Sequence, residues 1–309
     1  MKCAKNLVVV LMLLVLAGCA TPLPPLPTVP AGPPPEPKIA LVLGGGAARG
    51  FAHIGVIRVL EQEKIPIHRI VGTSVGSLIG AIYAADQNSF ELEWTAFALE
   101  KEHLFDFGVF NAFTGMGPVK GDRLEEFVRN KVPVANIENL KVPFAAVATD
   151  LNRGTRVVLD RGSVAKAVRA SSAIPGVFNP VEHDGKMLVD GGLVDNIPIA
   201  VARELGADIV IAVDISENVA NFNINNVVDV VLQSIAIIFK ENVGFRKKEA
   251  DILIAPLVGA VGSFDFTQKK RVMQAGIDAA RIAAPAIHLR IDEWKQAQAA
   301  KSAVSPRPQ

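Results

Sequence analysis

Three clusters of residues in this sequence have the types and spacing to do chemistry. The first is Gly72-Thr73-Ser74-Val75-Gly76, a Gly-x-Ser-x-Gly pattern. It follows an apolar run at 67–71 and opens a helical pattern from about 75 to 85. A strand, a tight glycine-flanked turn and a helix are the setting in which such a serine forms a nucleophile elbow. The Ser74 hydroxyl would then project at a helix N-terminus, where free N–H groups and the helix dipole favour developing negative charge. The second cluster is Gly44-Gly45-Gly46-Ala47-Ala48-Arg49-Gly50, between an apolar strand and a helix. Consecutive glycines let neighbouring N–H groups turn into one concavity, and such a nest at a helix N-terminus binds an anion. It is not a dinucleotide fingerprint, because Arg49 stands where that motif, read from Gly44, needs its last glycine; nor is it a P-loop, because no Lys-Ser/Thr follows. Beside a serine elbow it reads as an oxyanion hole. The third cluster is Asp190-Gly191-Gly192, after a short apolar run at 187–189. A carboxylate at a strand end, followed by two glycines, suits a tight site, although a plain turn aspartate has the same pattern.

These residues need a scaffold that brings them together. Apolar or β-branched runs at 38–43, 67–71, 142–148, 156–159, 187–189, 209–213 and 252–255 read as strands. Helical patterns lie between several of them, at 48–64, 75–85, 122–131, 164–171, 198–205 and 227–249. Residues 267–300 read as helical with an interruption near Pro285. Strands alternating with helices predict an α/β fold with a mostly parallel sheet covered on both faces. The apolar run 227–239 contains Asp229 and Gln233 and is too short to span a bilayer, so it is either a core helix or a helix bordering a lipid-binding pocket. An α/β-hydrolase fits poorly. Only one strand and one helix precede the elbow, and the only histidine after Asp190 is His288, far along the chain.

Taken in this order, the three clusters resemble the patatin-like phospholipases. The resemblance runs from about Ile39 to Ser216. Gly44 to Gly50 with Phe51-Ala52-His53-Ile54-Gly55-Val56, Val147-Ala148-Thr149-Asp150, and Ala170-Ser171-Ser172-Ala173-Ile174-Pro175-Gly176 are similar to the branch containing neuropathy target esterase and its bacterial relatives. The resemblance implies a three-layer α/β/α sandwich and a two-residue catalytic centre, with Ser74 as nucleophile and Asp190 as proton acceptor. The N–H groups of Gly45, Gly46 and Ala47 would stabilise the oxyanion, and Arg49 would support the loop or the developing charge. Gly72, Gly76, Gly191 and Gly192 complete the motifs. The family often has glycine where Ala47 stands; Ala47 is expected to serve if its backbone angles are ordinary. A carboxylate with pKa near 4 is a weak base for a hydroxyl, so the pair depends on contact and exclusion of water. His53 reads as a packed or capping residue. His183 keeps a Ser–His alternative open, and Asp150 and Asp195 read as structural.

The N-terminus reads as a targeting signal. Lys2 and Lys5 precede a ten-residue apolar run, too short to span a bilayer, that ends in Leu16-Ala17-Gly18-Cys19. This resembles the lipobox of bacterial lipoproteins and implies cleavage before Cys19 and its lipidation, giving a stable anchor. Ala20, in place of Asp, favours the outer membrane and its periplasmic face. The chain then divides into a signal peptide (1–18), a lipidated cysteine with a proline-rich spacer (19–37), a catalytic core (38–216), an extension of the same domain (217–300) and a disordered tail (301–309). Cys3 and Cys19 are the only cysteines, so the mature domain has no disulfide, thiol nucleophile or Cys-ligated zinc. No cofactor or metal is implied. Lys+Arg is 32 and Asp+Glu 31, a net charge of +1 without a basic stripe, and aromatics are 6%, which argues against a nucleic-acid partner. The expected substrate is a phospholipid or lysophospholipid, met at a membrane held through the anchor. A general carboxylesterase and a non-catalytic lipid-binding protein are the other two readings.

Overall fold

A computed structural model of the chain describes residues 35–106, 118–216, 224 and 227–304. The segment read as a signal, Cys19 and most of the proline-rich stretch lie outside these residues. The elements run β1 (Ile39–Leu43), α1 (Phe51–Gln62), β2 (Arg69–Thr73), α2 (Val75–Asp86), α3 (Ser89–Ala98), α4 (Asp122–Lys131), β3 (Phe144–Asp150), β4 (Thr155–Leu159), α5 (Val164–Ser171), β5 (Val181–His183) and β6 (Lys186–Asp190). There follow the one-turn α6 (Gly192–Asp195), α7 (Ile199–Glu204), β7 (Ile209–Val213), α8 (Val227–Arg246), β8 (Ile252–Ile254) and α9 (Lys269–Val304).

The strands form one eight-stranded sheet in the order β5-β6-β3-β2-β1-β7-β8, with β4 also paired to β3. The centre is parallel, β1 pairing with β2 and β7, β2 with β3, and β7 with β8. The β3–β4, β3–β6 and β5–β6 pairs are antiparallel. The apolar runs explain the centre: a strand buried on both faces needs no polar alternation. In β1, Ile39, Leu41 and Leu43 enter one hydrophobic cluster and Ala40 and Val42 the other. The first cluster holds α1, α2 and α9, and the second holds α7. Helices therefore cover both faces of a mostly parallel sheet. The extension beyond residue 216 supplies β8, which hydrogen-bonds to β7, and α9, which packs on α1. That last contact is close: a Cβ on Gly276 would lie 2.0 Å from the Ala52 carbonyl oxygen.

Two expectations need correction. The helix expected to break near Pro285 is continuous from Lys269 to Val304. Val272, Ala280, Ala284, Ile287 and Ile291 bury one stripe on both sides of the proline, while Pro285 faces solvent. Packing outweighs the missing hydrogen bond. The same helix enters the segment 301–309 expected to be a disordered tail; 305–309 lie outside the described residues.

Candidate active site

Ser74 is the single residue between the end of β2 and the start of α2. Its backbone stands at φ 54° and ψ −127°, a region that residues with a Cβ occupy only when their surroundings hold them there. Its carbonyl accepts the Ser77 N–H at 2.8 Å and the Ser77 hydroxyl at 2.6 Å. Its N–H donates to Ser171 Oγ at 2.9 Å. Gly72 and Gly76 flank it, and a Cβ on Gly76 would lie 2.1 Å from the Leu43 carbonyl oxygen, so only glycine lets α2 start this close to β1.

Asp190 ends β6. Its N–H donates to the Ala173 carbonyl at 2.9 Å, and its own carbonyl accepts the Thr149 hydroxyl at 2.8 Å. The side chain is fully buried. Oδ1 accepts the Gly192 N–H at 2.8 Å, while Oδ2 has no hydrogen-bond partner. Removal from water lifts the pKa to about 7, and the Ser74 hydroxyl and Gly192 N–H, which both favour the charged form, offset only part of that rise. The hydroxyl of Ser74 is thus near enough to act on the carboxylate, although no well-aligned hydrogen bond joins them. Such bonds are often loose before substrate is in place.

The glycine loop departs from expectation at two positions. The Gly45 N–H is committed to the Asn196 carbonyl at 3.2 Å, so it does not serve as an oxyanion donor. Gly45 instead keeps the site narrow: a Cβ there would meet Asn196 Oδ1 at 2.5 Å and Ser74 Cβ at 3.2 Å. The N–H groups of Gly46 and Ala47 have no backbone acceptor among the described residues. Ala47 does not have ordinary angles: its φ is 49°, which explains why glycine suits this position. Arg49 is buried and donates from Nε to the Ile215 carbonyl at 3.0 Å and from a terminal nitrogen to the Val261 carbonyl at 3.3 Å, which ties the loop to two later segments. His53 is fully buried beneath the loop, its Nε2 2.8 Å from the Gly44 carbonyl oxygen, and desolvation lowers its pKa to about 4. It is therefore neutral, and Nε2 carries the proton that holds Gly44.

Two clefts meet at Ser74. The first is walled by apolar side chains that include Leu78, Phe105, Leu124 and Phe178. The second is lined by Gly46, Arg49, Asn196 and Ser216 on one side and by Leu232, Ile235 and Phe239 of α8 on the other. The run 227–239 thus borders a pocket beside the serine. His183 lies on β5 against Asp184, and it lines a separate depression with Leu159 and Lys166. His288, on α9, faces Glu63 at the end of α1. Asp150 holds a turn by accepting the Asn152 N–H, and Asp195 pairs with Arg156 at 3.1 Å. Among the described residues no group of three or more His, Cys, Asp or Glu is placed to hold a metal ion. Sequence reasoning missed the contacts of Ser171, Thr149 and Asn196. The first two lie in runs already noted, but no spacing rule gives a buried hydroxyl its partner.

This combination of an elbow serine, a buried aspartate and a glycine loop on an α/β/α sandwich has counterparts. The family model described as patatin-like phospholipase matches residues 41–203, more than half of the chain. The chain belongs to the patatin-like phospholipase family. It is 39% identical over 183 residues to an uncharacterized NTE family protein of Mycobacterium tuberculosis, covering 59% of this chain and 50% of that one. It is 37% identical over 180 residues to Lysophospholipase NTE1 of Mycosarcoma maydis, covering 58% of this chain and 10% of that one. The chain therefore spans half or less of the length of these relatives. Among solved structures, VipD from Legionella pneumophila shares the fold at a TM-score of 0.57 and 17% identity, covering 81% of this chain and 67% of that one.

Proposed function

We propose that the chain hydrolyses acyl esters of phospholipids or lysophospholipids through an acyl-Ser74 intermediate. The observation that carries this reading is a wholly buried carboxylate, Asp190, acting on the Ser74 hydroxyl at the mouth of an apolar cleft. Ser74 Oγ attacks the ester carbonyl carbon and its proton passes to Asp190. The Gly46 and Ala47 N–H groups receive the oxyanion. As the intermediate collapses, the carbon–oxygen bond to the alcohol breaks and the alcohol leaves with the proton from Asp190. Water then attacks the acyl-enzyme, Asp190 takes its proton, and fatty acid departs as Ser74 regains its hydrogen. The acyl chain fits the first cleft, and the alcohol portion fits the second, which has polar groups on one wall. Similarity to a protein named as a lysophospholipase supports the lipid substrate class.

The test is turnover of a short-chain nitrophenyl ester and of a lysophospholipid by the full chain in detergent, beside Ser74→Ala. The parent should hydrolyse both and the variant neither. A preference for the soluble ester would point to a general carboxylesterase. A folded parent inert on both, and on phospholipid micelles, would overturn the catalytic reading in favour of lipid binding.

The envelope location belongs to the same proposal and is supported by Leu16-Ala17-Gly18-Cys19 and the prolines after it. An anchored domain meets its lipid substrate at high effective concentration. Labelled palmitate should enter the parent in a bacterial host and fractionate with the outer membrane. Equal labelling of Cys19→Ser would remove the anchor from the proposal.

A further inference from the structure

The β2–β3 ladder contains an inserted side chain. In this parallel pair the Ile70 N–H donates to the Pro143 carbonyl, and the register joins Gly72 to Ala146 and Thr73 to Val147. Parallel ladder bonds repeat every second residue. The pattern that begins at Ile70 would therefore next use Gly72, and after it would join the Ser74 N–H to the Val147 carbonyl. That last bond is replaced. The Ser171 hydroxyl accepts the Ser74 N–H at 2.9 Å and donates to the Val147 carbonyl at 2.6 Å. Ser171 is wholly buried, so water does not substitute for it.

The same short segment grips the other half of the site. The Ser171 carbonyl accepts the Gly191 N–H at 3.4 Å, and the Ala173 carbonyl accepts the Asp190 N–H at 2.9 Å. The last residue of α5 and the short stretch after it are thus bonded to both residues of the candidate pair, and Val147, the acceptor of the Ser171 hydroxyl, lies against Gly191, where a Cβ would be 2.2 Å from its carbonyl oxygen.

We propose that Ser171 is a positioning residue whose hydroxyl, inserted into the strand ladder, keeps Ser74 out of β2 and aligned with Asp190. The inference rests on Ser74 and Asp190 being nucleophile and base. Without the hydroxyl, the Ser74 N–H and the Val147 carbonyl are free to bond directly. The ladder closes, Ser74 relaxes toward the strand, and the nucleophile moves out of line. Misplacement on the order of 1 Å costs about 10²-fold in rate. Closure satisfies both backbone groups, so the loss falls on rate rather than on folding.

The experiment uses the full chain in detergent as parent, Ser171→Ala, Ser171→Val, Ser171→Thr and Ser74→Ala. It measures kcat and KM on a short-chain nitrophenyl ester, the rate of serine labelling by a fluorophosphonate, and melting temperature. Val and Thr share one shape and differ by the hydroxyl. The expected result is a fall in kcat of about 10²-fold for Ala and Val, with KM little changed, labelling slowed in parallel and melting temperature held, and recovery of most of the rate in Thr. Full activity in Ser171→Ala, equal loss in Thr and Val, or a loss carried by KM or by melting temperature would each overturn the proposal. Activity in Ser74→Ala would remove the underlying pair instead, which separates the two failures.

Discussion

At the scale of single residues, the decisive quantity is the proton affinity of Asp190. An exposed carboxylate would be ionised throughout the neutral range, but burial raises this one to about 7. A base works in its deprotonated form. The kcat/KM for a soluble ester should therefore climb with pH and level off above about 7. His53, with a pKa of about 4, is already neutral over that range and adds no second limb. Asp190→Asn should lose turnover by at least ~10³-fold, in line with removal of other paired catalytic bases. Its stability should move the other way. The folded pKa lies above the unfolded one, so stability is complete below the ordinary carboxylate range and declines as pH rises toward 7. At pH 8 the folded chain carries a buried charge costing on the order of 4 kcal/mol. Thermal melts should place Asp190→Asn above the parent at pH 8 and level with it at pH 4. Ala47 invites a milder test. Its φ of 49° carries strain that glycine lacks, so Ala47→Gly should keep turnover and gain up to ~1 kcal/mol in urea unfolding. The setting of Ser74 between a strand and a helix, and of Asp190 at a strand end, was legible because motif and neighbouring elements agreed. The sign of φ at Ala47 and the commitment of the Gly45 N–H were not, because both depend on where Asn196 and Ser263 arrive from distant parts of the chain.

Elements divide the work around Ser74. α2 and α4 wall the apolar cleft with Leu78 and Leu124, and α8 walls the other. Leu124→Phe adds bulk to the apolar cleft. Loss of room for two methylenes is worth about 1.6 kcal/mol. The ratio of long-chain to short-chain nitrophenyl ester turnover should drop about tenfold, with the short-chain rate nearly intact. An unchanged ratio would move the acyl chain out of this cleft. Most elements announced themselves in the sequence; α4 and α5 fall at the residues their periodicity predicts. α3 did not, because Phe90 and Trp94 on its surface are each 69% exposed and spoil the apolar stripe. Its signal was the cap, Asn88, whose side chain accepts the Phe90 and Glu91 N–H groups. β5 escaped notice too. It pairs with β6 across Asp184 and Gly185, both at positive φ, the Asp-Gly turn that marks a tight hairpin.

The whole molecule shows how far the site depends on chain far from it. Arg49 reaches Val261, Ala48 reaches Ser263, and the second cleft is closed by α8, all beyond the segment that carries the three motifs. The family match ends at residue 203, within α7. β7 begins later, at Ile209, yet it pairs with β1 along its full length, and β8 lies beyond it at the edge of the sheet. A chain ended at 216 would leave β7 as a bare hydrophobic edge, open to other chains. Such a fragment should aggregate on expression, where residues 36–309 remain dispersed by size-exclusion chromatography. The span that the family model matches is thus smaller than the unit that folds together. The third of the polypeptide beyond the family match supplies β7, β8, α8 and α9, so it belongs to the same folded unit. The wall of the second cleft therefore comes from chain that the family match does not reach, while Ser74, Asp190 and the glycine loop all lie within it.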